Sequence, residues 1–550
     1  MKLRHRIPVR LRHDWKLVAL CVAFLVACWG VFGSGTIRPY VTTSRTTEAH
    51  VAVQNLTGSR ELFDASAPHE VTLTFRDESY QDMLTEYFKD GDKKYVEADL
   101  TIDGTRIPSV GIRLKGNSTL MGLTWKGQSR RRAVPNGGDM PGGGGMPGGG
   151  MPGGQFPEGF QPPEGRQGGN GQGGNGQGGN GQGGGGRPGG FGGFGAVLKA
   201  EEPENLPWLI SFDEFVAGRR YQGHSQLAVR PAAAQSSTLL NEALAISMVG
   251  AAGEPTQRSA YTAFTVNGRA SEPRLLVEYL DEGYAESLGH GVLYKSLASS
   301  SFTYQGEDQT SYVDDFKQVN LKGERDLQPV IDLIKWVEQA SAEEFSAGLA
   351  KRLDVESFAR YVALQNLLLN FDDMAGPGRN YYLWYDLGTK RFKVISWDLN
   401  FALSGDATAG PGDTIGMGFG GNRGTRADQP ARAGQPTPAG QPTPTGQPRQ
   451  PGPPARAGQD GAGGPGGMRM GHALKDKFLK DAGFKKLYEQ QYAALYRELL
   501  AGGTATGLLE RALAAYELNA GADTAKARQE AATLRETLET RAKALSSLAS

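Results

Sequence analysis

The clearest succession of apolar and polar positions runs over 361–401, YVALQNLLLNFDDMAGPGRNYYLWYDLGTKRFKVISWDLNF. Tyr361, Leu364, Leu367 and Leu368 recur at helical spacing behind Asp354, a capping residue, so the spacing predicts a helix over 355–369 that gives out at Asn370, Asp372 and Asp373. Gly376, Pro377 and Gly378 then force a loop. Aromatic and β-branched residues at 381–385 and 392–397, joined by a turn containing Gly388, predict two strands of a hairpin. A hairpin returns to where it began. Asn380, entering its first strand, and Asp398, leaving its second, therefore belong near each other and near the Asp372 loop.

That grouping has a chemistry. Nucleotide-dependent phosphoryl transfer needs one carboxylate to accept the proton of an attacking hydroxyl, with an amide and a second carboxylate to hold magnesium against the phosphates. Asp372 and Asp373 alone read first as a solvated helix C-terminal loop; the convergence of Asn370, Asp372, Asn380 and Asp398 in one compact unit favours a metal-nucleotide site. Tyr381, Tyr382 and Trp384, following directly, read as core aromatics rather than as stacking partners for a base.

The rest of the pattern is α+β. Strand alternation begins at Val71, and 95–102 and 107–114 form a hairpin turning at Asp103 and Gly104, which delivers Arg113, Lys115 and Asn117 at its end. Taken alone, Lys115 and Asn117 serve as nucleotide contacts or as a solvated strand end and turn. A helix is expected over 239–249 and a strand over 260–266, turning at Asn267 and Gly268 into a partner over 274–279. Glu278 and Asp281, at that strand's end, orient a nucleotide or a basic side chain, or else are solvated charges. Lys295, in the short apolar run from Val292, is a candidate phosphate partner or a surface lysine on an edge strand. Helices are predicted over 327–340, 342–352, 474–500 and 507–549, making a second lobe whose last helix is a packed tail.

The Asn370-x-Asp372 pair, the run Asn380, Tyr381, Tyr382, Leu383 and the string Trp397, Asp398, Leu399, Asn400 resemble the signature of the spore-coat protein H (CotH) kinase family, a group of atypical protein kinases. GIRLKGNST at 111–119 resembles the family's opening motif, and VEYLD at 277–281 its central Glu-x-x-Asp string. The resemblance runs from about residue 71 to the C-terminal helices. It implies an atypical protein-kinase-like fold of two lobes, with Asp372 as catalytic carboxylate, Asp398 as metal ligand supported by Asn380 and Asn400, and Arg113, Lys115, Asn117, Glu278 and Lys295 around ATP. ATP with magnesium or manganese would be the cofactors, and a Ser- or Thr-bearing protein the acceptor. Ser211 and Asn241 depart from the pattern, which has a basic residue near the first and an arginine at the second. The alternative is a non-catalytic member of the fold that binds or builds the envelope.

The amino terminus sets the compartment. Lys2, Arg4, Arg6, Arg10, Arg12 and Lys16 precede an apolar run that extends over 17–37, within the roughly 17–25 residues a bilayer span requires. The basic flank keeps the start of the chain in the cytoplasm, so 1–16 is expected inside, 17–37 as a single signal anchor, 38–70 as a stalk and 71–550 as an extracytoplasmic domain. The rival is a lipobox at 25–28 with lipid on Cys28; both tether the domain to the membrane. The only two cysteines, Cys21 and Cys28, lie in this run, which excludes a disulfide or a Cys-ligated zinc in the domain.

Composition narrows the domain further. Much of the 79 glycines and 30 prolines falls in two low-complexity tracts, 136–194 with GGNGQ repeats and 405–467 with GQPTP repeats, neither of which is expected to pack a core. No Walker-type phosphate loop occurs in them. Lys and Arg total 59, as do Asp and Glu, so no charge excess argues for nucleic acid. No histidine stands in a Ser-x-Gly elbow or a His-Glu-x-x-His helix.

Overall fold

The computed structural model describes residues 23–24, 53–116, 119–130, 198–232, 236–416 and 471–549. The chain divides at Ala52, and of the amino-terminal unit only Ala23 and Phe24 are described, as helix. The expected span over 17–37 otherwise lies outside the described residues, as do Cys21, Cys28, the whole of the first tract, most of the second and Asn117. Among the described residues no helix is long and apolar enough to cross a membrane.

From Val53 onward the first large element is a closed barrel of seven strands. These are β1 (Glu70–Phe75), β2 (Val96–Ile102), β3 (Thr105–Leu114), β4 (Trp208–Ser211), β5 (Gln226–Val229), β6 (Ser259–Val266) and β7 (Glu272–Glu278). They pair in the order β6-β7-β5-β4-β3-β2-β1, antiparallel until β1 meets β6 in parallel and closes the ring. Alternation supplies the interior: Val71, Leu73 and Phe75 point inward with Val96, Leu100, Ile112, Trp208, Ile210 and Phe264, all buried in one core. A helix, α1 (Asp77–Asp90), sets Tyr80, Met83, Leu84 and Tyr87 into that core, and Gly91 ends it in the left-handed region at φ 84°. The hairpin foreseen over 95–114 is β2 and β3, and the antiparallel pair foreseen around Asn267 is β6 and β7.

A second sheet holds β8 (Gly291–Ser296), β9 (Phe316–Gln318), β10 (Tyr381–Asp386) and β11 (Phe392–Ser396), ordered β9-β8-β10-β11 and antiparallel throughout. Lys295 thus stands on an interior strand, not an edge. Both faces of the sheet are covered. Tyr381, Leu383, Phe392 and Val394 join the helical core, while Tyr382, Trp384, Ile395 and Trp397 pack with Leu280, Tyr284 and Ala285. The aromatics following the loop are core residues, as their sequence implies.

The helical core gathers α2 (Leu240–Ala251), α4 (Gln328–Gln339), α5 (Val355–Leu367), α6 (Ala473–Lys480), α7 (Ala482–Leu495), α8 (Thr504–Glu517) and α9 (Thr524–Ala544); α3 (Glu282–Ser287) belongs to the far face of the sheet. The α+β class holds. Two predicted helices are each broken. The stretch over 474–500 is interrupted at Asp481, whose carboxylate caps α7 by accepting from the N–H groups of Gly483 and Phe484 at 2.9 and 3.0 Å. That over 507–549 is interrupted at 518–523, where Gly521 takes φ 83°. Leu509, Leu534, Leu538 and Leu545 are buried, so the tail is packed as expected.

The second tract does not begin at 405. Residues 405–416 dock onto the helices through their backbone: Gly410 O accepts from Asn366 Nδ2 at 3.2 Å, Pro411 O from Tyr488 Oη at 2.6 Å and Ala409 O from Arg541 Nη1 at 2.6 Å. Arg541 is fully buried and also caps the carbonyls of Asn366 and Leu367 at the end of α5. Main-chain oxygens need no apolar side chain, which is why composition misplaces this boundary.

The two candidate carboxylates and their cationic neighbours

The loop is built from α5 outward. Leu368 closes the helix and Leu369 takes φ 52°, turning the chain so that Asn370 folds back onto Gln365 with two hydrogen bonds, N to O at 2.9 Å and Nδ2 to Oε1 at 2.7 Å. Asn370 Oδ1 accepts the Asp372 N–H at 3.3 Å. The Asp372 carboxylate accepts from Gly378 N at 2.5 Å and from Asn380 Nδ2 at 2.9 Å, and Asn380 Nδ2 also reaches the Asp372 carbonyl at 3.1 Å. Gly378 is required there: a Cβ would lie 2.6 Å from both Asp372 Oδ2 and Asn380 Nδ2. The carboxyl is buried, and burial raises it to about 6, helped by the charges of Asp398 and Asp373 and opposed by the Gly378 and Asn380 hydrogen bonds. Asp373 is separate in function, ion-paired to Lys475 and accepting from Ala375 N at 2.8 Å.

The β10–β11 register pairs Tyr381 with Ser396, so Asn380 and Trp397 are the next residues beyond that pair and Asp398 follows. Asp398 adopts φ 56°, ψ 60°, a conformation that costs a non-glycine residue free energy of order 1–3 kcal/mol and is held here by its surroundings. Its carboxylate bonds Arg230 Nη2. Burial works against its ionisation, but Arg230, Lys115 and Lys295 outweigh that and lower it. Asp372 feels the Asp398 charge.

Around Asp398 lies a cationic cluster drawn from both cores. Lys115, just past β3, stands 5.3 Å from the Trp397 ring; burial and Arg230 push its ammonium down to about 7, against the pull of Asp398. Lys295 Nζ lies over three rings, Tyr279 at 5.3, Tyr382 at 5.6 and Trp397 at 5.0 Å. Arg113 covers the Tyr95 ring at 5.1 Å. Arg113 and Lys295 also act on Lys93, whose ammonium burial first, then these charges, lower to about 8. Lys115 and Lys295 share the Trp397 ring, and Arg113 and Lys295 act on the same Lys93 ammonium. Tyr279 joins them: burial would raise its hydroxyl, yet Lys295, Arg113 and Lys317 lower it.

Sequence reasoning missed Arg230 and Glu242. Arg230 follows β5 directly; its Nε donates to Glu242 Oε2 at 2.9 Å and its Nη2 lies 2.9 Å from Oε1, besides bonding Asp398. Asp398 and Glu242 keep the guanidinium charged. The signals were a lone arginine closing an apolar strand before Pro231 and a lone carboxylate in the apolar run of α2. Glu278 is placed elsewhere: its carboxylate takes Arg258 N at 2.8 Å and Arg258 Nη2 at 3.0 Å, with His224 Nε2 at 3.6 Å, all barrel-wall contacts. Asp281 caps α3 and accepts from Ser225 N and Gln226 N. Both are buried structural acids rather than solvated charges.

A divalent cation would find oxygen donors here. Asn400 Oδ1 is buried and has no hydrogen-bond partner, two residues from Asp398, whose side chain is 30% exposed. Asn241 Nδ2 fixes the adjoining backbone by donating to Asn400 O at 2.8 Å and Ala402 O at 3.1 Å. Asn380, whose amide nitrogen is committed to Asp372, orients that carboxylate. Among the described residues no three His, Cys, Asp or Glu side chains converge as a metal cage. A site of one carboxylate and one amide oxygen suits magnesium or manganese that takes its remaining ligands from phosphates and water. The residues present fit such an ion.

The CotH kinase protein family model matches residues 195–510, more than half of the chain, and the chain belongs to that family. No curated protein matches the chain. The matched stretch contains Asp372, Asn380, Asp398, Asn400, Glu278, Lys295 and Arg230 but begins after the first tract, so Arg113, Lys115 and Asn117 lie upstream of it.

Proposed function

We propose that the chain is an ATP-dependent kinase that transfers phosphate to Ser or Thr of envelope or coat proteins, assisted by magnesium or manganese, with 17–37 anchoring it in the membrane and the domain outside. One observation carries this reading. Two carboxylates in one helix–loop–hairpin unit have opposite electrostatic settings, one raised and one lowered, beside a cluster of five cations, Lys93, Arg113, Lys115, Arg230 and Lys295. Such a cluster favours a polyanion such as a triphosphate.

In this reading Asp372 accepts the proton of the acceptor hydroxyl, held in place by Asn380 and the Gly378 N–H. Lys115 and Lys295 hold phosphate oxygens, both ammonium groups lying over the Trp397 ring. Asp398 and Asn400 would hold the cation, which supplies neutralisation of triphosphate charge when bound. Calorimetric titration of the purified chain with ATP, with and without magnesium or manganese, tests binding; labelled phosphate transfer to a Ser-rich basic peptide tests chemistry. Absence of binding with either metal would sink the reading.

The non-catalytic reading draws on two side chains. Ser211 spends its hydroxyl on Asp213 at 2.7 Å and Asn241 its amide on backbone carbonyls, so neither replaces a family basic residue. It predicts envelope binding without phosphate transfer.

A further inference from the structure

Arg230 connects the two charged halves of the site. It is almost fully buried and Glu242 is 1% exposed, so on that side the guanidinium is sealed against α2 by the two-point contact already described. On the other side the same Nη2 holds Asp398, the more open carboxylate. Among the described residues Nη1 makes no hydrogen bond, which leaves donors of a rigid planar fork unspent within a cationic cluster. A guanidinium anchored by one carboxylate and free to offer its remaining donors is suited to a phosphate oxygen.

Resting on the nucleotide-dependent reading above, we propose that Arg230 is a positioning residue with alternating partners: it occupies Asp398 in place of a metal cation when no nucleotide is present, and gives its free donors to nucleotide phosphate when the cation takes Asp398. Glu242 keeps the fork in place in both states. The consequence is linkage. Metal alone must displace a charged hydrogen bond with nothing to receive Arg230, and nucleotide alone meets an arginine still committed to Asp398. Each ligand therefore strengthens the other, by reciprocal factors, through this one side chain.

The test is calorimetry on the full-length chain with manganese alone, ATP alone in chelator, and both together. In the wild type each ligand should bind roughly tenfold or more tightly in the presence of the other, within the usual range of such coupling. Arg230→Gln combined with Glu242→Gln removes the guanidinium without leaving Glu242 buried and unpaired. Its affinity for manganese alone should rise about tenfold and its affinity for ATP in manganese fall by a similar factor, while ATP affinity in chelator changes little and the coupling is reduced toward unity. Glu242→Gln alone leaves Arg230 only Asp398 as partner and should lower manganese-only affinity, the opposite sign. A purely structural role would weaken every affinity together. If the wild type binds ATP and manganese but the double variant fails to gain manganese-only affinity, the Arg230 inference falls and the kinase reading stands. If the wild type binds neither ligand, the kinase reading falls and takes the inference with it. Circular dichroism melts of each variant establish that the titrated protein is folded.

Discussion

Asp372 and Asp398 are the same side chain, 26 residues apart, and the chain surrounds them in opposite ways. Asp372 receives only neutral donors, an N–H from Gly378 and an amide from Asn380, and those dipoles do not offset the loss of water; its carboxyl rises to about 6. Asp398 is only partly covered and meets Arg230, Lys115 and Lys295, and its carboxyl falls. The difference teaches how one fold assigns roles. A carboxylate that can take up a proton near neutrality suits base chemistry, and one held permanently ionised suits a cation.

The largest expected effect separates the two directly. Asp372→Ala should cut phosphate transfer by roughly 10²–10⁴-fold, the usual contribution of a positioned base, with ATP affinity unchanged. Asp398→Ala should instead bring ATP affinity in manganese down to the level seen in chelator. Titration and transfer assays on both variants decide; equal loss of binding in the two would erase the division of roles. Next in size is Gly378→Ala, whose methyl group would displace the Asp372 carboxylate and the Asn380 amide. Overpacking of that kind costs about 1–3 kcal/mol, and transfer should fall while ATP binding persists.

A smaller effect tests the proton on Asp372 itself. Its native carboxyl holds a proton more tightly than an unfolded one, whose ordinary value is 3.8, so the stability this proton contributes is full below pH 4 and is lost as pH rises through about 6. Asp372→Asn should flatten that limb of a melting-temperature profile recorded without metal. An unchanged slope between pH 4 and 6 would mean that another group carries it. The smallest effects belong to the tracts, whose removal must leave both carboxylates as they are. Excising 142–190 should shift stability by about 0.6 kcal/mol per halving of the loop. Excising 418–466 should behave likewise, whereas starting the cut at 410 strips partners from Asn366 and Tyr488 and should cost about 1–3 kcal/mol for each buried donor left unpaired. Denaturant melts of the three deletions make the comparison.

How much of this was legible depends on sequence distance. The loop and hairpin around Asp372 were readable because helix period, glycine break and strand alternation all lie within about forty residues. The barrel was not. β4 and β5 are four residues each and almost wholly buried, so they show little alternation, and closure of β1 on β6 joins segments nearly two hundred residues apart. Arg230 and Asp398 are separated by 168 positions, and nothing local to either announces the other. Glu278 was drawn toward the nucleotide by its motif, yet an arginine twenty residues earlier, just ahead of the neighbouring strand, takes it. The break at Asp481 was marked by a capping residue that the surrounding apolar periodicity concealed.

The chain leaves and rejoins the domain at nearly the same place in both tracts. Thr124 N donates to Leu198 O and Ala200 N to Thr124 O, each at 2.8 Å, across the first; Ile415 and Gly471 line one cavity of about 680 Å³ across the second, and Gly471 N donates to Ala375 O at 3.0 Å. The parts of the domain on either side of each tract are thus held in register by hydrogen bonds and packed cores as well as by the chain between them. A nick in either tract would leave the pieces assembled, with the same barrel and the same paired carboxylates.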